Sequence, residues 1–218
     1  MLQYLIQSPG DPMQTLIINA HPDPQNKTAY CTNRLVDCLS KKLPDASVLN
    51  IYNEDIPELT AETLPLYGSV YDEKSSLSKR EQQILARRAE LIEQFKAADR
   101  LIIAMPMHNF TVTSRLKDYL DNIIMGGQTF QFSENGPQGL MGGHKALLVQ
   151  SSGSVYSTGP LAPWEQSYPF LRTVFGMLGF DSTDIVRAEG TMDPNIGPDV
   201  AVERACAELE QKLPEFLA

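Results

Sequence analysis

Apolar residues follow two alternating patterns along this chain of 218 residues. Short continuous apolar runs are typical of strands buried on both faces, whereas apolar residues that recur every three or four positions are typical of amphipathic helices. The continuous runs predict five main strands, over 14–20, 47–52, 100–105, 145–151 and 183–189. The longer periodic segments predict five helices, over 28–43, 78–98, 114–125, 168–178 and 199–216.

Polar residues mark where these helices are expected to begin. Ser78 and Glu81 have the spacing of a capping box, in which each side chain accepts a backbone N–H of the other. Thr28 and Ser114 are the predicted N-caps of the first and third helices. Pro44 is expected to end the first helix, because proline cannot continue it.

Three further segments fall outside this regular alternation. Residues 129–132 (TFQF) alternate in polarity, as a short edge strand or one arm of a hairpin would. Residues 133–143 are rich in glycine and proline and are predicted to form a loop. Residues 53–77 are predicted to be irregular, and a segment of that length usually has a role in function or in an interface.

Alternating strands and helices predict an α/β fold in which crossover helices join parallel strands. With five strands, the expected arrangement is a flavodoxin-like doubly wound sheet of order 2-1-3-4-5 with helices on both faces. Residues 13–218 are expected to form one domain that begins at Met13, and residues 1–12 an N-terminal extension.

Composition and charge exclude several classes of function. The net charge of −9 disfavours binding to nucleic acid or anionic lipid, and no apolar run has the length of a membrane span. Residues 1–12 contain no Lys or Arg, so a signal peptide is not expected. The three cysteines form no CxxC pair, which predicts reduced thiols and a cytoplasmic protein. The three histidines lack HxxxH spacing, so no metal site is predicted.

In doubly wound folds, ligands bind beyond the carboxyl ends of the strands, where strands 1 and 3 diverge. This rule selects the loops 20–30, 106–113 and 151–160. The first loop leads into a helix whose N-terminus could hold a phosphate, although it lacks GxGxxG and GxxxxGK[ST] and so disfavours a dinucleotide site or a P-loop. His21 in this loop is a phosphate ligand or a structural residue, and its position alone leaves both open.

The other two loops carry flat surfaces and hydrogen-bonding groups. In PMHNF, Asn109 offers a donor and an acceptor beside the polarisable or aromatic Met107, His108 and Phe110, a combination that suits a planar heterocycle. In the third loop, Gly153 allows close approach of the backbone to a ligand. Hydroxyl groups and an aromatic face come from Ser151, Ser154 and Tyr156.

With these loops in view, the sequence resembles the FMN-dependent NADH:quinone oxidoreductase and azoreductase family, within the flavodoxin-like quinone reductases. The segments that carry the resemblance are PMHNFTVTSRLKDYLDNIIMGGQTFQFSENGPQGLMGGHKALLVQSSG (106–153), LRTVFGMLGF (171–180) and VRAEGT (186–191). It extends from about Thr15 to the last helix. The family often has SRGG where this chain has SSGS, and often a tyrosine at the position of His108.

The resemblance implies FMN as cofactor and a role for individual loop residues. Around the FMN phosphate it implies His21, Thr28, Ala29 and Tyr30. Around the isoalloxazine ring and the ribityl chain it implies Pro106, Met107, His108, Asn109 and Phe110, and around the pyrimidine end Ser151, Gly153 and Ser154. Near the substrate cavity it implies Phe130, Phe132 and Met177.

The activity implied by the resemblance is ping-pong transfer of two electrons from NADH or NADPH to quinones and azo compounds. Tyr156, as a hydrogen-bond or proton donor, and His108 are the candidate catalytic residues, and a homodimer completes the cavity. The alternative is a flavodoxin-like electron carrier without a small-molecule substrate, which would need neither Phe130 and Phe132 nor the long segment 53–77. A flavin-free domain of receiver type ranks last, because the acidic cluster expected after strand 1 is absent.

Overall fold

The structure is a computed structural model that describes residues 13–67 and 77–218. The predicted extension 1–12 and part of the predicted irregular segment therefore lie outside the described residues. The strands are β1 (Thr15–Asn19), β2 (Ser47–Asn50), β3 (Arg100–Pro106), β4 (Phe130–Ser133), β5 (Gly136–Gly139), β6 (Lys145–Ser151) and β7 (Ser182–Ala188). The helices are α1 (Cys31–Lys42), α2 (Leu64–Tyr67), α3 (Lys79–Lys96), α4 (Ser114–Ile123), α5 (Ser167–Leu178) and α6 (Gly197–Leu217), with a 3₁₀ turn at Ala162–Trp164.

Five parallel strands form the main sheet in the order β2-β1-β3-β6-β7. Numbered by their order among the main-sheet strands, this is 2-1-3-4-5, so the predicted sheet is confirmed. The longer strands are in register: Arg100 pairs with Lys145 where β3 and β6 begin, and Pro106 pairs with Ser151 where they end. Their carboxyl ends therefore lie at one edge of the sheet, which is called the carboxyl edge below.

The apolar runs of the strands supply two separate clusters of buried side chains. Leu16 and Ile18 of β1 belong to a cluster with residues of α3, α4 and α5, whereas the intervening Ile17 belongs to a cluster with residues of α1 and α6. Burial of alternate β1 side chains in different clusters explains why this strand is apolar at consecutive positions. In the described part of the chain, no helix has the length and hydropathy needed to cross a membrane.

The hairpin β4–β5 stands outside the main sheet as an antiparallel pair. It confirms the hairpin arm predicted at 129–132, but the prediction of a loop throughout 133–143 is wrong, because Gly136–Gly139 forms the second arm. The sequence GPQG has low strand propensity. Its extended conformation depends on pairing with β4 and on close contact of Gly139 with the backbone of Leu178.

Two of the three predicted helix starts need correction. The capping box of α3 is confirmed, because the Ser78 N–H donates to Glu81 Oε2 (2.7 Å) and the Glu81 N–H to Ser78 Oγ (3.2 Å). Thr113, rather than Ser114, is the N-cap of α4. Similarly, α1 begins after Tyr30 and not at Thr28.

Side-chain hydrogen bonds explain why the loop before α1 continues past Thr28. The Asn33 amide donates to the carbonyls of Asp23 (2.7 Å) and Asn26 (2.9 Å), and Asn26 Oδ1 accepts the Ala29 N–H (3.1 Å). These side-chain bonds satisfy backbone groups in a non-helical conformation and so compete with helix formation.

Two arginines order the described part of the segment predicted to be irregular. The Arg115 guanidinium donates to the carbonyls of Ile51 (3.3 Å), Glu54 (3.0 Å) and Ile56 (3.0 Å). Arg88 in α3 donates to the carbonyl of Leu66 in the short helix α2 (3.0 Å). The described part of the segment is thus held by side-chain hydrogen bonds, and the short helix α2 within it corrects the prediction that the segment is irregular throughout.

Candidate functional site

The three predicted loops meet at Ser151, the last residue of β6. Its carbonyl accepts the N–H of Met107, which follows β3, at 2.7 Å. Its hydroxyl lies 2.7 Å from the hydroxyl of Thr32 in the first turn of α1, and both side chains are buried. Ser151 therefore joins the N-terminus of α1 and the second loop to the third, as the doubly wound arrangement requires of a switch-point site.

His21, directly beyond β1, has a buried ring with defined partners. Its Nδ1 accepts the Asp23 N–H at 3.0 Å, and its ring stacks against Tyr30 with centroids 4.3 Å apart. The backbone N–H of His21 donates to Oδ1 of Asn19 (3.1 Å). The same Nδ1 also lies 3.2 Å from the Asp23 carbonyl, so both backbone groups of Asp23 hold this side of the ring in place.

The N-terminus of α1 lies in the same loop and has no side-chain cap. Tyr30 occupies the N-cap position without a side-chain hydrogen bond to the helix, and it is exposed. The first backbone N–H groups of a helix have no partner within the helix and carry partial positive charge, so they attract phosphate. Tyr30, Ala29, Thr28 and His21 thus surround a helix start suited to an anion.

The second loop contains a strained turn. Asn109 and Phe110 have φ values of 47° and 69°, and they are the non-glycine residues with positive φ in the described parts of the chain. His108 and Thr111 close the turn through reciprocal backbone hydrogen bonds of 2.9 and 3.1 Å. Left-handed backbone at residues other than glycine costs about 1–3 kcal/mol and is concentrated at functional sites. The turn presents the exposed side chains of His108, Asn109 and Phe110.

An aromatic cluster connects the second loop to the third. The Phe110 ring lies edge-on to Trp164, at 5.3 Å between centroids, and to Tyr156, at 6.3 Å. The Phe110 carbonyl accepts the Gln166 N–H at 2.8 Å. Trp164 and Phe110 are about half exposed, with 53% and 42% of their surface accessible. Exposed aromatic faces of this kind suit a planar aromatic ligand.

The third loop is held against the segment that follows β7. Tyr156 donates its backbone N–H to Oε1 of Glu189 (2.7 Å), and the Gly153 carbonyl accepts the Met192 N–H (2.9 Å). A Cβ on Gly153 would lie 3.1 Å from the sulfur of Met192, so this glycine permits the close approach. Ser154 is exposed beside it.

Glu165 anchors the far end of the third loop, and sequence reasoning missed it. Its buried Oε1 accepts the N–H groups of Ser167 (2.8 Å) and Tyr168 (3.0 Å) at the start of α5 and the side-chain amide of Gln150 in β6 (3.2 Å). The carboxylate therefore ties the helix start to the central sheet and positions Trp164. The one available signal was that Trp164, the single tryptophan of the chain, lies shortly after this loop.

The hairpin and the end of α5 are anchored at the opposite edge of the sheet. Gln128 accepts a hydrogen bond from Lys96, just before β3, at 3.3 Å, and the Met141 N–H donates to the Leu178 carbonyl at 2.9 Å. Strand β3 has seven residues, which at about 3.3 Å per residue separates the two edges by roughly 20 Å. Within one chain, Phe130, Phe132 and Met177 are therefore anchored at the edge away from the three loops.

His21 is expected to make folding sensitive to acid. Burial lowers its pKa from the ordinary value of 6.5, so the unfolded chain takes up a proton before the folded chain does. The His21 contribution to the free energy of unfolding is therefore complete above pH 6.5 and is lost as the pH falls through that value toward the lowered folded pKa. Between about pH 7.5 and about pH 5.5, the free energy of unfolding of the flavin-free wild-type protein, measured with urea, should fall by more than that of His21→Gln. Equal losses would show that His21 is not the group responsible.

Comparisons with known proteins agree with this geometry. The family model of the flavodoxin-like fold matches residues 13–213. FMN-dependent NADH:quinone oxidoreductase 1 of Lactiplantibacillus plantarum is 36% identical over 211 residues, covering 93% of this chain and 98% of that protein. The corresponding protein of Streptococcus agalactiae is 37% identical, covering 82% and 87%. The crystal structure of an FMN-dependent NADH-azoreductase from Bacillus anthracis in complex with FMN superposes with a TM-score of 0.85 at 29% identity, covering 95% and 100%.

Proposed function

This chain belongs to the flavodoxin-like fold family, and on that premise we propose that it passes two electrons from NADH or NADPH to quinones and azo compounds. It is an oxidoreductase with FMN as its cofactor, as its relatives are. The observation that carries the proposal is the convergence of three loops at Ser151, next to an uncapped helix start and an exposed aromatic cluster.

The residues at the carboxyl edge fit FMN in both chemistry and arrangement. The start of α1 offers N–H donors for a phosphate, and the ring of His21 and the hydroxyl of Thr28 lie in the loop that leads into it. The half-exposed faces of Phe110 and Trp164 offer a surface for the ring. We propose that the phosphate is held by His21, Thr28, Ala29 and Tyr30, the ring and ribityl chain by Pro106, Met107, His108, Asn109 and Phe110, and the pyrimidine end by Ser151, Gly153 and Ser154.

When bound, FMN supplies the hydride chemistry between the donor and the acceptor. The protein supplies orientation and charge stabilisation. The Ser152 amide is already bonded to the Ala188 carbonyl at 3.0 Å, so stabilisation of negative charge at the pyrimidine end is assigned to the amides of Gly153 and Ser154. Tyr156, whose backbone is fixed by Glu189, is the proposed hydrogen-bond or proton donor to the acceptor. His108, exposed at the rim of the site, is proposed to contact the same acceptor.

We propose a homodimer in which each hairpin completes the site of the other subunit. The aromatic pair Phe130 and Phe132 is anchored away from the loops of its own chain, with 5.3 Å between the two ring centroids. Phe132 is 76% exposed, which is unusual for a phenylalanine unless a partner covers it. A second copy related by a two-fold axis would bring both rings, with Met177, to the carboxyl edge of the first.

Subunit mixing tests the shared site. Phe110→Ala removes an aromatic ring from the second loop, and Phe132→Ala removes one from the hairpin. Each substitution is expected to lower kcat/KM about tenfold or more. Unfolding the two variants together and refolding them forms heterodimers in which one site has both rings, so activity should rise to about a quarter of wild type. A matched control, Val48→Ala, changes another half-exposed apolar residue, in β2, and should keep wild-type activity. No gain on mixing would show that one chain forms the whole site.

Anaerobic reduction tests the activity itself. The FMN-reconstituted protein should lose its flavin band at ~450 nm in one step when NADH is added and recover it with menadione or methyl red, because the cofactor passes electrons in pairs. Parallel double-reciprocal lines would support the ping-pong order, and intersecting lines would refute it. If FMN binds but NADH leaves the band unchanged, the electron-carrier function is favoured. If no flavin binds, the assignment of the loops fails.

The proposal also covers the placement of the helices around the sheet and the location of the protein in the cell. The partition of buried side chains into two clusters, one with α1 and α6 and the other with α3, α4 and α5, supports a doubly wound sheet with helices on both faces. The half-exposed thiols at Cys31, Cys38 and Cys206 support a reducing, cytoplasmic location. Neither feature bears on the identity of the acceptor.

A further inference from the structure

Helices α1 and α6 lie side by side and run in the same direction. Arg34 near the start of α1 pairs with Asp199 near the start of α6, at 2.9 Å. Lys42 at the end of α1 pairs with Glu210, about three turns after Asp199 in α6. Because both ion pairs join positions that increase together along the two helices, the helices are parallel and their register is known.

This register brings two cysteines face to face. Cys38 lies four residues before Lys42, and Cys206 lies four residues before Glu210, which places each thiol one helical turn before the second ion pair. Both side chains are half-buried and pack against the same apolar cluster. The two thiols are close enough to influence each other's ionisation. Cys31 lies seven residues before Cys38, roughly 10 Å along α1, and is not part of the pair.

The two thiols differ in their access to solvent. Cys38, together with Lys41 and Lys42, lines a surface groove of about 620 Å³, whereas Cys206 does not line it. Burial, reinforced by contact with Cys38, raises the pKa of the Cys206 thiol to about 12, so that thiol stays protonated at neutral pH. Because Cys38 lines the groove, it is the thiol that an oxidant in the groove reaches first.

We propose that Cys38 and Cys206 form a reversible disulfide when the protein meets a hydroperoxide, stapling α1 to α6. The Cys38 thiolate attacks one peroxide oxygen, which breaks the O–O bond, oxidises the sulfur to a sulfenic acid and releases the alcohol or water. The Cys206 sulfur then attacks the sulfenic sulfur, and its proton leaves with the departing hydroxide as water. Two thiols lose two electrons in total, and the peroxide gains them.

The disulfide would fix α1, the helix whose N-terminus is the proposed phosphate site. It would link residues 168 positions apart, since 206 − 38 = 168, and a crosslink over such a long loop strongly restricts the unfolded chain. The consequence is greater stability of the oxidised protein, with α1 held against α6. Disulfides in cytosolic proteins are usually transient and redox-sensing, which fits a pair of neighbouring thiols with one member in an open groove.

Thiol counting and mass spectrometry of the full-length protein test this inference. After treatment with hydrogen peroxide and removal of excess, the three free thiols of the chain should fall to one, and the intact mass should fall by two hydrogen atoms. A non-reducing digest should link the peptides that contain Cys38 and Cys206. The melting temperature should rise by roughly 5–10 °C, and dithiothreitol should reverse every change.

Single substitutions separate the pair from the third cysteine. Cys38→Ser and Cys206→Ser should abolish the linked peptide and the rise in melting temperature, whereas Cys31→Ser should retain both. Circular dichroism confirms that each variant folds, and Cys206→Ala replaces Cys206→Ser if the hydroxyl disturbs packing. Three thiols remaining after peroxide, a sulfinic acid at Cys38 without crosslink, or a linked peptide containing Cys31 would each overturn the proposal.

Discussion

Replacing Gly139 with alanine is expected to lower the free energy of unfolding by about 3 kcal/mol or more, among the largest effects of any single methyl group in this protein. A Cβ at this position would lie 2.1 Å from the carbonyl carbon of Leu178, 2.2 Å from its oxygen and 2.3 Å from the nitrogen of Gly179. All three are backbone atoms at the end of α5, so no rotation of a side chain can relieve the overlap.

The functional consequence follows from the position of the hairpin. Gly139 is the last residue of β5, and pairs with Phe130 at the start of β4. Separation of β5 from α5 would displace the aromatic pair proposed to complete the partner's site. We therefore expect loss of quinone reduction in Gly139→Ala to exceed the loss that the fraction of unfolded protein explains.

Urea unfolding followed by fluorescence measures the stability effect, and Gly142→Ala is its matched control. Gly142 lies three residues further along the chain, and a Cβ there would meet no heavy atom within 4 Å. The control should stay within about 0.5 kcal/mol of wild type. If both variants unfold at the same urea concentration as wild type, the close approach of β5 to α5 does not hold in solution.

Replacing Arg88 with methionine is expected to cost about 2–4 kcal/mol of stability, because the buried guanidinium donates to two backbone carbonyls that would lose this partner. Arg88 is 2% exposed and donates to the carbonyls of Leu66 (3.0 Å) and Asn122 (3.1 Å). Its guanidinium also lies 4.1 Å from the centre of the Tyr67 ring. Within 13–67 and 77–218, no carboxylate lies within salt-bridge distance of it.

Methionine fills similar volume but leaves both carbonyls buried without a donor. Lysine should not restore stability fully, because a single ammonium group lacks the planar fork that reaches both carbonyls. Burial lowers the pKa of the Arg88 guanidinium, which is consistent with a cation that depends on these carbonyls and on the ring. Limited proteolysis should detect the change as faster cleavage within 57–67.

Arg80→Met is the matched control for Arg88, because it removes an arginine from the same helix. The Arg80 side chain is 72% exposed and pairs with Glu62 at the surface. Surface ion pairs contribute little, so its free energy of unfolding should change by less than about 0.5 kcal/mol. Equal effects of Arg80→Met and Arg88→Met would contradict the role assigned to buried guanidinium–carbonyl contacts.

Most of the main fold could be predicted from the sequence. The apolar runs predicted all five strands of the main sheet and their order, because strands buried on both faces must be apolar at consecutive positions. The Ser78–Glu81 spacing predicted a capping box that the structure contains, since both groups lie within one turn of the helix. The fold rule for strand ends also selected the loops that meet at Ser151.

Other parts of the site could not be predicted, because they depend on contacts between residues distant in sequence. The GPQG strand has no local signal and exists through pairing with β4 and contact with α5. The loop before α1 is extended by Asn33, whose side chain competes with the helix. Glu165 became visible as an anchor only when Gln150 and the start of α5 were seen to share its carboxylate.

By itself, the sequence determined the order of strands and helices and the three loops at the carboxyl edge, and its motifs indicated the flavin chemistry. Tertiary structure alone decided that the hairpin with Phe130 and Phe132 is anchored at the edge of the sheet opposite the three loops. It also decided that Cys38 and Cys206 face each other. Hydrophobic periodicity and capping are local, so the chain displays them directly. The pairing of hairpin, helix end and thiols is set by packing between elements, which no local pattern encodes.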